Sequence, residues 1–327
     1  MKMKYLLMSL LVGVCCTSCD MSSVKMPSAR GRTGEVLVVM TDYHWKGACG
    51  DSIRQYLTEP VWGLPASEPM FTLSQNSALG SFSQKTRNVL IINIDAGYEG
   101  VKLEYKTDVY AQHQVIFNLS ASSADSAVVG IFRYKDVITA RFLEKGRDAI
   151  IADYKKSIAK PIVEKVREKN QVDIVIPAPY KLDMEKDDFV WISREEGERC
   201  WYILMWKEPY VRRGQLETDS LIFKMNAMTR KYVAGPNNSY MADEPMYIPA
   251  VKRFEKDGIY CVQINGLWQT EGGGYMGGPY VNHTIVDTQR GQIVTGIGFV
   301  FYPNRDKRDM VRQLEAILYT MKPVTEE

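Results

Sequence analysis

A chain of 327 residues with 45% hydrophobic and 24% charged residues has the composition of a folded globular protein, which excludes a disordered or fibrous one. Its 41 basic and 39 acidic residues leave a net charge of +2, so no electrostatic reason exists to expect nucleic acid as a partner. The basic doublets Arg212-Arg213, Lys252-Arg253 and Lys307-Arg308 have Glu208, Glu255, Asp306 and Asp309 close by in sequence and read as solvated faces.

The chain opens with Lys2 and Lys4, an uncharged run over 5–14 (YLLMSLLVGV) and small residues just before Cys19. Positive start, short apolar run and small-residue exit are the parts of a secretory signal. The run is far below the ~20 residues that a membrane-spanning helix needs. A cysteine at the exit resembles a bacterial lipobox, with cleavage before it and lipid on its thiol. Cys15 and Cys16 fit poorly, because Val14 or Cys15 would take the place that wants Gly, Ala or Ser. Cys19, preceded by Ser18, fits. The C-x-x-C spelled by 16–19 is therefore read neither as a redox nor as a metal motif. The expectation is a cell-envelope lipoprotein, most simply of the outer membrane, whose first partner is the bilayer that holds its acyl chains. Residues 20–32 are polar, contain Pro27 and Gly31, and predict a flexible tether.

The remaining length suits two domains at ~100–200 residues each. The first half predicts a strand over 35–40 (EVLVVM), a loop over 41–47 and a helix over about 50–57. Strands follow over 70–73, 88–94 (NVLIINI) and 115–119. The pattern then turns helical from 123 to about 160, and Pro161 should kink or stop it before a further helical piece over 162–169. Near-continuous apolar strands separated by helices predict an α/β layer over 33–170.

The second half, 171–327, reads as α+β with mostly antiparallel sheet and flanking helices. Its strands are expected over 172–176, 189–193, 200–206, 259–264, 281–287 and 293–302, with one helix over about 220–232. A last helix should begin after Asn304, a good N-cap. Its stripe Met310, Leu314, Ile317, Leu318 and Met321 reads as core. Cys49, Cys200 and Cys261 remain in the body; an odd count leaves at least one free, and Cys200 and Cys261 read as core residues or as a bridge.

Motifs for chemistry are scarce. Phosphate-loop, zinc-protease and serine-hydrolase signatures are absent, no cofactor is implied, and the three histidines have no metal-ligand spacing. Two segments stand out as candidate ligand sites, each with a plainly structural reading beside it: loop and helix cap for 41–47, and two strands joined by a long glycine loop, with Trp268 in the core, for 266–280. In TDYHWKG, Asp42 and His44 could polarise a substrate at a strand end, with Trp45 as a wall; this is the basis of an alternative reading as an envelope hydrolase. In GLWQTEGGGYMGGPY, glycines allow a ligand to approach the backbone, while Trp268, Glu271, Tyr275 and Tyr280 supply walls and a charge for a sugar or peptide. The second segment is expected to line the main pocket, close to the domain junction.

The segments RGRTGEVLVVMTDYHWKG, EPMFTL, RNVLIINI, LWQTEGGGYMGGPYVNHTIVD and FVFYPNRDKRDMVRQLEAIL together resemble a family of uncharacterised lipoproteins of Bacteroides-type bacteria, a domain of unknown function. The resemblance spans nearly the whole mature chain. It implies lipid attachment at Cys19 and an envelope location, and it transfers no catalytic residue. The leading expectation is a non-enzymatic binding protein for an envelope ligand or protein.

Overall fold

The computed structural model describes residues 26–325. The expected signal, the expected lipobox at Cys19 and positions 20–25 of the expected tether lie outside the described residues. Within them the chain forms two sheets, each with its own helices and core.

The first sheet comprises β1 (Glu35–Val39), β2 (Thr72–Asn76), β3 (Asn88–Ile94), β4 (Val101–Thr107) and β5 (Val115–Ala121), in the order β2-β1-β3-β5-β4. All neighbours are parallel except β4, which returns antiparallel to β5. Helices α1 (Asp42–Trp45) and α2 (Ala48–Leu57) follow β1, and α3 (Ala124–Tyr154) follows β5. Ser123 starts α3 by accepting from the Ser126 N–H, while Ser126 Oγ accepts from the Ser123 N–H, a reciprocal cap. One sheet face buries Val36, Val38, Leu90 and Phe117 against Ile53 of α2 and Ile131 and Phe142 of α3. The opposite face carries only the small cluster of Leu37, Val39 and Val89.

The second half begins with α4 (Lys160–Asn170) and β6 (Val172–Asp173). A large antiparallel sheet follows, built from β7 (Lys181–Glu185), β8 (Phe189–Glu196), β9 (Arg199–Pro209), β10 (Tyr240–Asp243), β11 (Ala250–Lys256), β12 (Ile259–Glu271), β13 (Gly277–Asp287) and β14 (Gln292–Phe301). Its order is β10-β12-β13-β14-β9-β8-β7, with β11 on the same edge of β12 as β10. Helix α5 (Thr218–Tyr232) covers one face and α6 (Arg308–Tyr319) the other; β15 (Lys322–Pro323) pairs with β6. The α6 face buries Ile192, Ile203, Ile285 and Val294 with Leu314 and Ile317. The α5 face buries Leu204, Trp206, Ile264 and Ile297 with Leu221 and Met225. Because both faces are covered, β14 is buried at nearly every position and is mostly apolar, with Gln292 and Thr295 as its polar residues. Helix α6 lies so close to β14 that a Cβ on Gly298 would stand 2.8 Å from Leu314 Cβ.

The halves are joined by ionic and backbone contacts. The buried Glu68 carboxylate, just before β2, accepts from the backbone N–H groups of Lys307 (2.7 Å) and Arg308 (2.9 Å), at the start of α6. Arg308 and Arg312 reach back to the carbonyls of Pro69 and Met70, each at 2.7 Å. Two segments that carry the family resemblance, EPMFTL and YPNRDKRDMVRQLEAIL, are therefore the two sides of one joint.

The α/β and α+β halves are as expected, with corrections. Residues 42–45 form a helical turn, since Thr41 accepts from the His44 N–H and caps it. The strand expected over 70–73 runs over 72–76, and that expected over 172–176 pairs only at 172–173. Pro161 stands in the first turn of α4, where its missing N–H costs nothing, so it starts the helix. Asn304 is left-handed (φ 57°) and caps nothing; Glu68 serves α6 from across the joint. Helix α4 packs Ile162 and Val166 into the second core, which places the change of core ahead of Asn170. The described part of the expected tether is docked: Ser28 and Arg30 form bridges with Gln112 and Thr86, and Ala29 is buried. Cys49, Cys200 and Cys261 are free. Cys200 on β9 and Cys261 on β12 are separated by β13 and β14, three strand spacings or roughly 14 Å, too far for a bridge. Among the described residues no helix is long and apolar enough to cross a membrane.

Candidate functional site

On the α5 face of the large sheet, past the C-terminal end of α5, lies a groove of about 450 Å³. The period of two along each strand puts aromatic residues on this one face. Tyr202 of β9 pairs in register with Phe299 of β14, and their rings stack at 4.7 Å and 23°. Trp268 of β12 meets Phe299 edge-on at 5.6 Å, and Trp191 of β8 meets Tyr202 edge-on at 6.3 Å. Phe301 completes the wall. The Trp268 indole N–H donates to the Val300 carbonyl (3.2 Å), which fixes that ring.

The glycine segment is the hairpin between β12 and β13. Gly272, Gly273 and Gly274 take φ of 84°, 142° and 82°, values that disfavour a side chain. Thr270 and Met276 close the hairpin, the Thr270 N–H donating to the Met276 carbonyl at 3.0 Å, and both residues line the groove.

Two carboxylates, Asp183 and Glu195, stand on the rim, with Lys181 Nζ 3.7 Å from one and 3.6 Å from the other. Tyr202 donates to Glu195 at 3.4 Å. Burial, with Cys200 and Glu195 adding to it, pushes the Tyr202 phenol well above its usual value, so it remains a donor at neutral pH. The groove thus offers flat apolar faces beside hydrogen-bond acceptors and donors.

The residues singled out in the sequence do not all gather here. Trp268 lines the groove. Tyr280 is buried and donates to Asp243 at 2.6 Å. Glu271 is at the outer edge, accepting from the Tyr240 hydroxyl, and Tyr275 points fully into solvent at the hairpin tip. The segment is expected to line the main pocket near the domain junction; it borders instead a groove wholly within the second half, and a larger cleft occupies the junction.

Asp42, His44 and Trp45 sit in α1, at the first sheet. Asp42 accepts from Gln75 (3.1 Å) and Ser77 (3.0 Å), and these hydrogen bonds hold its carboxyl below its usual value. No hydrogen bond joins it to His44, whose ring meets Tyr43 edge-on at 5.1 Å. Trp45 stacks under Arg54. Trp191, Tyr202, Phe299 and Phe301 were not singled out from sequence; their signal was aromatic residues recurring within apolar strands, which reads first as core. Among the described residues, no group of three or more His, Cys, Asp or Glu could hold a metal ion.

Residues 159–320 match the family described as Domain of unknown function (DUF4837), and residues 29–155 match Domain of unknown function (DUF8532). Two segments of the chain thus each match an uncharacterised domain family. Their matches meet between α3 and α4, where the core changes. No curated protein matches the chain. Among solved structures, it is similar to the Saccharomyces cerevisiae Ran-binding protein Mog1p at 9% identity and a TM-score of 0.34, over 47% of this chain and 90% of that one. A crystal structure from Bacteroides thetaiotaomicron VPI-5482 matches at 9% identity and a TM-score of 0.25, over 48% of this chain and 46% of that one. Likenesses this low carry no argument about function.

Proposed function

We propose that this protein is a lipid-anchored envelope protein that binds a carbohydrate in the aromatic groove. The observation that carries the reading is the row of Trp191, Tyr202, Phe299 and Trp268 beside Asp183 and Glu195. A pyranose ring presents C–H groups on its faces, which settle on the negative face of an aromatic ring. Its hydroxyls donate at the same time to carboxylates on the rim. Lys181 between the two carboxylates offsets one of their two charges and leaves both able to accept from the hydroxyls of a neutral polyhydroxylated ligand. Intrinsic fluorescence tests this, since Trp191 and Trp268 are both in the groove. Titration with soluble oligosaccharides should give a saturable shift that Trp191→Ala abolishes. No shift with any sugar, in a protein that remains folded, sinks the reading.

The anchor rests on the pattern of Lys2, Lys4, the apolar run and Cys19. A lipid there would tether the body at a membrane and present the groove to envelope glycans or glycoproteins. Cys19→Ala should abolish fatty-acid labelling and leave an uncleaved precursor; labelling that persists contradicts it.

A further inference from the structure

A cavity of about 640 Å³ lies between the two halves. Its walls come from α3 (Leu143, Arg147, Ile150), from β11 (Lys252, Phe254) and from α6 (Arg312, Glu315, Tyr319). With Arg253 of β11, which is paired with Glu217 at 3.4 Å, four cations therefore line a cavity that holds one carboxylate. The Arg147 guanidinium lies flat on the Tyr319 ring, 3.6 Å from its centroid, which fixes its plane and leaves its N–H edge to other partners. Among the described residues Arg147 makes no hydrogen bond or ion pair, and its buried Nε has no acceptor. Arg312 donates one N–H to the Met70 carbonyl, and its buried Nη1 has no acceptor either. Burial, helped by Arg308, pulls Arg312 down to about 10. Glu315 is turned aside: it accepts from the side-chain amides of Asn265 (2.8 Å) and Gln263 (3.2 Å).

Buried guanidinium donors without acceptors are costly, and an oxyanion satisfies them with charge-assisted, often bidentate, hydrogen bonds. We infer that the cleft between the halves is a binding site for an organic oxyanion. Its carboxylate or phosphate head is held by Arg147 and Arg312, with Lys252 at the mouth, and its apolar body lies along Leu143, Ile150 and Phe254. The site is separate from the aromatic groove and does not depend on the carbohydrate reading.

Phenyl phosphate and benzoate are suitable probes, followed by isothermal titration and thermal shift. Saturable binding is expected, weakened at least tenfold in Arg147→Met, which keeps an unbranched side chain against Tyr319. Lys252 is exposed, so Lys252→Gln should fold normally and weaken binding several-fold. Glu315→Gln keeps an oxygen acceptor and removes the opposing charge, so it should tighten binding. Trp191→Ala should leave binding unchanged. Co-sedimentation with anionic-lipid vesicles, compared with the soluble probes, tells a membrane headgroup from a free metabolite as the natural source. Absent binding of either probe, or equal affinity in wild type, Arg147→Met and Lys252→Gln, overturns the proposal. So does loss of binding in Trp191→Ala alone.

Discussion

His283 on β13 is buried on the α6 face, and neither ring nitrogen has a hydrogen-bond partner among the described residues. Burial is the main reason, with Lys256 and Arg147 adding to it, that its pKa falls to about 3. The folded protein thus keeps His283 neutral where the unfolded chain, near 6.5, protonates it. Stability from this residue is full above about 6.5 and is lost as pH falls toward 3, a difference on the order of 5 kcal/mol at 1.36 kcal/mol per pH unit. His283→Leu should fold and unfold with a visibly flatter pH dependence between 6 and 4, measured by urea denaturation at each pH. A variant with the wild-type slope would contradict this. Nothing in the local sequence marked His283 as buried: its neighbours on β13 are Asn282 and Thr284, and only the coverage of both sheet faces encloses it.

At the scale of elements, β3 and α5 were legible because apolar residues recur at the right period over enough length. Strands β4 and β7 were missed for a physical reason: VKLEYKT and KLDME are edge strands, half or fully exposed, and their apolar signal is diluted by lysine and acid. Strand β11, AVKRFEK, is hidden in the same way. The groove was half legible. Trp268 and the glycine hairpin could be read locally, but Trp191, Tyr202 and Phe299 meet only through strand pairing across β8, β9 and β14. The packing of α6 is also set by pairing, because Gly298 opens the space that Leu314 fills. Gly298→Ala should force α6 off the sheet and cost about 1–3 kcal/mol in chemical denaturation. Unchanged stability would mean that α6 is loosely held.

Across the whole molecule, Glu68 ties the two halves together at the start of α6. Its carboxylate satisfies two N–H groups at the positive end of α6 from the other side of the joint, while Arg308 and Arg312 hold the backbone around it. Glu68→Ala should cost about 2–3 kcal/mol and speed proteolysis between α3 and α4, where the core changes. A variant as resistant as wild type would show that the joint is held by other contacts. The carbohydrate reading rests on the aromatic groove. Its most direct test is isothermal titration of the protein with the oligosaccharide that gives the largest fluorescence shift, in wild type, Tyr202→Ala and Arg147→Met. One site per chain is predicted, weakened about tenfold or more in Tyr202→Ala, the ~1.4 kcal/mol expected of a lost stacking face, and unaltered in Arg147→Met. Equal affinity in wild type and Tyr202→Ala, or loss of binding in Arg147→Met instead, would contradict it.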